Sequence, residues 1–506
     1  MRTAGTILFV LVVATASQVF AEEGFNVPKG PCGSAPPAAP QRRKGGEGVP
    51  PLPLPATPLR RTERKRPPAP PALVAKIQYG APKEVDRDGQ KVRYYDWNKD
   101  PGDTAMLVNI ANQTLGLHYT QKCGPLGAFE PDPAQYPIIY YTGSDDFTLS
   151  EAEVTRLREF VRSGGTVWGD TCFGDPDFFH AFTRELSRVL PGRQWRALPD
   201  DHPLFNCYYR IDEVSYTLPV PEAPSGKGKP VFYGLDNGDR TAVILSRYDL
   251  SCGWDGHTRE GAYSVQPGDA RKLGMNMIAY ALADFQLAQY ESTAKVFYED
   301  QERARGDFVF SQAKLTDNWD TQPNAIANLL KFVATNTSTE VKFQRRAVDL
   351  TPEELQASPF LYMAGLYDFE LTEAQVQALR RYLSNGGFIL ASPASGRREF
   401  DRAFRREIAR VLPDHKLEPL PADHPVYSIL NRIERVGYTD YVASLGEAPP
   451  ALPLEGIQLG GTTVVIYCPY GLGGGWRGFD SPFGRDVAQQ DAVRLGVNVV
   501  LYAMTH

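Results

Sequence analysis

Six cysteines and seven histidines in 506 residues leave few places where nucleophilic or metal chemistry can be built. Cys172 is the first. It follows the strand-like run from Thr166 to Thr171 and stands two residues before Gly174, so TVWGDTCFG reads as a tight strand-to-helix turn. A helix N-terminus lowers a thiol's pKa, and backbone N–H groups there can hold an oxyanion. A thiol nucleophile also needs a base. His257 lies 85 residues later, just past the expected last strand, with Asp255 or Glu260 placed to orient it. Cys172, His257 and Glu260 therefore outline a thiol-dependent amidase or hydrolase. One residue opposes that reading: Asp170 precedes the Thr-Cys pair, where it crowds the turn and brings negative charge to a would-be thiolate.

The elements that must position these residues are written twice. Sliding the chain against itself by 222 residues brings Trp97 onto Trp319, Gly143 onto Gly365 and Asp146-Phe147 onto Asp368-Phe369. Arg184-Glu185 falls on Arg406-Glu407, Asp201-His202-Pro203 on Asp423-His424-Pro425, and Gly253-Trp254 on Gly475-Trp476. The register holds from Trp97 to the C-terminus with no net gap, which marks an internal repeat. Each copy alternates strand-like and helix-like runs. In the first, IQYG and VRYY read as strands, DTAMLVNIANQT as a helix, and LGLHYTQ and PIIYYTG as short β-rich runs. Ser150 with Glu153 fits a capping box at the start of an amphipathic helix, as does Thr372 with Gln375. The expected fold class is α/β, with two tandem doubly wound, mostly parallel sheets. Ligands in such folds sit beyond the carboxyl ends of the strands. A rim pocket in copy one is accordingly expected from Gly143, Asp170, His202, Asp249 and Trp254, with Cys172 beside them.

The repeat also serves as an internal control on the cysteines. Cys172 and Cys252 of copy one meet Ala394 and Gly474 of copy two, so they are absent together. Joint absence suits a disulfide or a shared site better than two unrelated thiols. A Cys172–Cys252 bridge is the favoured pairing for an exported chain, although spacing alone does not fix connectivity. His202 and His424 are the histidines that both copies share, and a capping role fits them better than proton transfer. Arg184-Glu185 and Arg406-Glu407 read as salt-bridged helix surface, and the paired tryptophans as packing. No C-x2-C or H-x3-H spacing exists, so no metal site is expected, and no cofactor motif is present. Gly471 to Gly475 lacks the Lys-Ser/Thr of a phosphate loop and aligns with the YDLSCGW loop of copy one.

Several motifs recur in a fixed order: YYTG followed by F-x-L and a helix, F-x-x-A-F-x-R-E-(L/I), L-P-x-D-H-P, and S-x-Y-D-L-x-C-G-W. In this order they resemble the bacterial family called domain of unknown function 4159, over nearly all of residues 74–506, twice. That resemblance implies an architecture similar to class I glutamine amidotransferases, with a flavodoxin-like sheet, and no established activity. The sequence DGHTRE around His257 departs from the H-P-E of amidotransferases, and Ala394 and Gly474 depart from the pattern in copy two.

Composition sets the outer bounds. The formal net charge is −6, from 54 basic and 60 acidic residues, which argues against nucleic-acid binding. Residues 1–21 read as a secretory signal peptide, with Arg2, an apolar run too short to span a bilayer, and Val19-Phe20-Ala21 as the cleavage signal. Residues 22–72 hold 14 of the 42 prolines and read as a disordered Pro-rich linker with nine basic and four acidic residues. Removing that +5 and the +1 of Arg2 leaves −12 on residues 73–506. Two domains, 73–289 and 290–506, complete the expected plan, with no transmembrane segment in the mature chain. The expectation is a secreted or periplasmic, non-catalytic binding or assembly module of the cell envelope. Its partner would be an envelope protein or polymer, and copy two a degenerate copy. The thiol hydrolase is the alternative.

Overall fold

A strand that has parallel neighbours on both sides and helices on both faces has no polar side, so its sequence is apolar along its whole length. The run ALVAKI meets that description and forms β1 (Ala72–Ile77), buried throughout. Even Lys76 is only 3 % exposed, and its ammonium donates to both carboxylate oxygens of Asp103 at 2.8 Å. The computed structural model describes residues 71–87, 90–128, 130–292, 308–322 and 324–506. The expected signal segment, and the expected linker up to residue 70, lie outside these. Residues 71–506 form one compact unit.

The first repeat continues with α1 (Asp103–Leu115), β2 (Thr120–Gly124), β3 (Ile138–Gly143), α2 (Glu151–Arg162), β4 (Thr166–Thr171) and α3 (Pro176–Val189). It closes with β5 (Arg196–Ala197), β6 (Phe232–Asn237), β7 (Arg240–Ser246), the short α4 (Ser251–Asp255) and the long α5 (Pro267–Ser292). These strands make one seven-stranded sheet in the order β2-β1-β3-β4-β7-β6-β5. Pairing is parallel from β2 through β7, and antiparallel for β6 with both of its neighbours. The path reverses between β1 and β3, which is the switch point where an open α/β sheet leaves a crevice.

The second repeat follows the same plan. It comprises β8 (Phe308–Ala313), α6 (Ala325–Asn336), β9 (Val341–Val348), β10 (Phe360–Gly365), α7 (Glu373–Ser384), β11 (Phe388–Pro393) and α8 (Arg398–Val411). Then come β12 (Glu418–Pro419), β13 (Glu455–Leu459), β14 (Thr462–Tyr467), α9 (Gly473–Arg477) and α10 (Gln489–Thr505). Its sheet order is β9-β8-β10-β11-β14-β13-β12. The chain is thus two α/β domains, each with a mostly parallel sheet flanked by helices.

Both capping boxes form as read. Ser150 and Thr372 accept from the N–H groups of Glu153 and Gln375, whose side chains reach back to the cap residues. The IQYG and VRYY strands are displaced. The first sheet strand starts five residues before Ile77, because the apolar run ALVA has the burial to occupy the sheet centre. VRYY instead lies in a separate hairpin, Lys83–Arg87 with Gln90–Tyr94. Each sheet has an apolar core on either face, and Phe483 of the second repeat enters the core of the first, stacked on Tyr280 at 5.5 Å. Among the described residues, no helix is long and apolar enough to cross a membrane.

Candidate functional site

The carboxyl ends of β1, β3, β4 and β7 share one edge of the first sheet. Beyond β1, the Tyr79 hydroxyl lies 3.0 Å from Asp96 Oδ2 and 2.8 Å from the Thr142 carbonyl. Gly143 ends β3 beneath them: a side chain there would run into the Tyr79 hydroxyl and the Asp96 carboxylate. Asp96 accepts from the backbone N–H groups of Ser144 and Asp145 and pairs with Lys99 at 2.6 Å. Burial raises its pKa, but these partners outweigh burial and hold it below the usual range.

Two buried carboxylates hold the next layer. Asp170, near the end of β4, accepts from the N–H groups of Leu250 (3.0 Å) and Ser251 (3.2 Å), which fixes the start of α4. Asp249 accepts from Ser251 Oγ, Cys252 N–H and Phe173 N–H. Burial, together with the neighbouring Asp249, pushes the Asp170 carboxyl well up. Phe173 sits in the left-handed region at φ 62°, as does its counterpart Ser395 at φ 49°. They are the only such non-glycine residues among those described, and such a conformation costs roughly 1–3 kcal/mol. The strained position of the turn therefore belongs to Phe173, and Cys172 precedes it. The Phe173 ring is held between Lys99 and Arg259, at 5.6 and 5.0 Å.

Several expectations are corrected here. Cys172 and Cys252 are both free thiols in the structure, so the bridge expected between them is not formed. Cys172 is 2 % exposed, and burial, then Asp249 and Asp170, push its thiol well up. His257 does not address it. The His257 ring faces Asp100 (Nε2 to Oδ2, 3.6 Å) and Asp255 (Nδ1 to Oδ2, 3.8 Å), while Glu260 points to solvent as an exposed residue. Trp254 belongs to the core and not to a pocket: it is fully buried against Tyr140 and donates to the Ala270 carbonyl at 3.0 Å. His202 lies at the opposite end of the sheet. Its Nδ1 accepts from Leu204 N–H and its Nε2 is 3.0 Å from Thr241 Oγ1 at the start of β7, and His424 repeats this with Val426 and Thr463. Of the five residues expected in the rim pocket, Gly143, Asp170 and Asp249 are at the rim.

The residue that sequence spacing missed is Asp100. Donor atoms of Asp100, Cys252 and His257 lie within 4.8 Å of one another. Asp100 is 3 % exposed, and its Oδ2 has no hydrogen-bond partner among the described residues. Burial and the nearby Asp103 raise its carboxyl to about 6, with His257 acting the other way. Asp100 and His257 are 157 positions apart, so no short motif could join them.

The family model "Domain of unknown function (DUF4159)" matches residues 74–282 and 309–504. The chain belongs to this family. A search of curated proteins finds no significant match. Within the two DUF4159 repeats, the shared motifs have structural roles. Glu185, 2 % exposed, accepts from Leu149 N–H and Arg184 Nε, while Arg184 reaches Asp146 and the Phe147 carbonyl. Arg406, Glu407, Asp368 and Leu371 repeat that staple. The Arg-Glu pair is thus salt-bridged as the sequence suggested, with the arginine on the helix surface and the glutamate buried beneath it as a brace.

The rims of the two repeats differ in sign. In the second, Gln322 Nε2, Ser395 Oγ and Arg477 Nη1 all donate to Oδ2 of Asp239, at 2.9, 2.7 and 2.8 Å. Asp239 comes from the β6–β7 turn of the first repeat. The second rim is thus a socket filled by a carboxylate from within the chain. At the matching positions the first rim has Asp100, Phe173 and Asp255, and Asp239 itself becomes Gly461. Every donor has been lost, and two have become acids.

Proposed function

We propose that this chain is an exported, non-catalytic binding module of the cell envelope. Its first DUF4159 repeat carries the ligand site, and its second is a structural partner. The observation that carries this reading is the pair of rims. One is built and filled internally by Asp239, while the other keeps the same framework with its polarity reversed. The leader read at residues 1–21 supports export, and the sheet order is compatible with an amidotransferase-like architecture. A shared architecture does not carry an activity with it.

The burial of Cys172, the placement of Phe173 at the strained position and the facing of His257 toward Asp100 all weigh against thiol catalysis. The test has two arms. Glutamine and p-nitrophenyl acetate are offered to the mature protein and to Cys172→Ser, with equal and negligible turnover expected. Isolated peptidoglycan sacculi are then sedimented with the protein, with association expected and weakened by Arg259→Ala at the rim. Turnover that disappears in Cys172→Ser, or no association with sacculi, overturns the proposal.

A further inference from the structure

We infer that Asp100, Cys252 and His257 form a binding site for a divalent transition metal, with zinc the best match. The inference deepens the binding reading of the first rim and rests on it. Carboxylate, thiolate and imidazole are the ligand types zinc takes, and three protein donors with an open fourth position is the arrangement of an accessible zinc site. Their mutual separation of at most 4.8 Å needs only a small closure onto bonds of about 2.0–2.3 Å. The exposed side of the His257 ring, 40 % exposed, leaves room for that movement.

Three further observations point the same way. The buried Asp100 Oδ2 has no hydrogen-bond partner among the described residues and lies 3.6 Å from His257 Nε2, so a buried polar atom without a hydrogen bond stands beside the other donors. Asp255 stands 3.8 Å from His257 Nδ1, close enough that a small approach on metal binding would let its carboxylate accept from Nδ1–H and fix the tautomer that presents Nε2 to a metal. The second repeat gives the control. Its counterparts are Gln322, Gly474 and Phe479, so all three donors vanish together. At Gly474, moreover, an added side chain would run into Asp486, so a cysteine there has no room. On binding, the Cys252 S–H bond breaks, its proton leaves to solvent, and the sulfur pair forms the bond to the metal with no change of oxidation state.

The test uses the mature chain, stripped with chelator, loaded with zinc chloride, desalted and assayed for metal by mass spectrometry. One zinc per chain is expected, lost in His257→Ala and Cys252→Ser, with affinity about 10-fold weaker in Asp255→Asn. Cobalt substitution should give a thiolate charge-transfer band that Cys252→Ser removes. Because His257 is partly exposed, His257→Ala should keep the circular dichroism and melting of the stripped protein, so its loss of zinc reports the site. No retained zinc, or the same zinc in wild type and His257→Ala, means an adventitious ion only and overturns the inference. Failure to retain zinc in protein that still sediments with sacculi overturns this site alone, whereas Cys172-dependent turnover overturns the reading beneath it.

Discussion

At Cys172 the influences that usually activate a thiol act in reverse. Among the described residues no cation is hydrogen-bonded to it, it is buried, and the charges of Asp249 and Asp170 outweigh that of Lys99. Each unit by which a thiol's pKa rises removes about tenfold of its thiolate. Iodoacetamide at neutral pH should therefore leave Cys172 unmodified in the native protein and label it promptly in guanidinium, as read by peptide mass spectrometry. Rapid native labelling would contradict the buried placement. The sequence announced the turn through its glycine spacing but not which residue takes the left-handed φ. That choice is made by contacts 76 and 90 residues away: Phe173 N–H donates to Asp249, and the Phe173 carbonyl accepts from Tyr263. Asp100 was hidden for a similar reason. Nothing local distinguishes it from Asp103, the other acid of WNKDPGD, until the fold brings it to His257.

At the scale of elements, the repeat register and the periodicities carried the most information. Capping boxes are local contacts, so Ser150-Glu153 and Thr372-Gln375 could be read directly. Strand edges were less legible, because β1 is defined by neighbours that pair with it from residues 120 and 138 onward. The helices α5 and α4 pack closely through small residues. A Cβ on Gly274 would stand 2.6 Å from Leu107 Cδ1 and 2.7 Å from Trp254 Nε1, and Gly496 is placed in the same way against Trp476 and Leu329. Neither tryptophan can retreat, since each is fully buried and anchored to a carbonyl of the long helix. Gly274→Ala should cost about 1–3 kcal/mol by overpacking, even though alanine is the better helix former. Urea denaturation measures the loss, and a gain in stability would show that α4 can shift. By contrast, Ser150→Ala removes an exposed cap and should cost about 0.5–2 kcal/mol.

For the whole molecule, the junction between repeats was the least legible feature, because Asn237-Gly238-Asp239 reads from sequence only as a hairpin turn. Its meaning lies in partners 83 to 238 positions away. Burial raises the Asp239 carboxyl, but Arg477, Gln322 and Ser395 outweigh burial and hold it low. Arg477→Met leaves that carboxylate buried without its cation, which should cost about 3–5 kcal/mol, and adding Asp239→Asn should recover part of the loss. Two other acids at the junction behave oppositely. Burial raises Asp284 to about 7, with Arg240, Tyr280 and Arg397 lowering it and Asp239 raising it further. Asp486 is raised to about 7 by burial, Asp239 and Asp480, against Arg477 and Arg485. Their unfolded carboxyls titrate near the ordinary 3.8. Between those values the folded chain keeps protons that the unfolded chain has released, so its stability declines as pH rises. The contribution is whole below about pH 4 and gone above about pH 7. Asp239 titrates below that window, so it does not mask the trend within it. Burial lowers the His202 and His424 imidazoles, which act the other way in this window, so the carboxyl contribution is read by comparison with Asp284→Asn between about pH 5 and pH 7.5. The urea midpoint of Asp284→Asn should lose less, or gain more, than wild type as pH rises through this range, and identical pH profiles would mean that the Asp284 carboxyl is ionised at no cost in the folded junction.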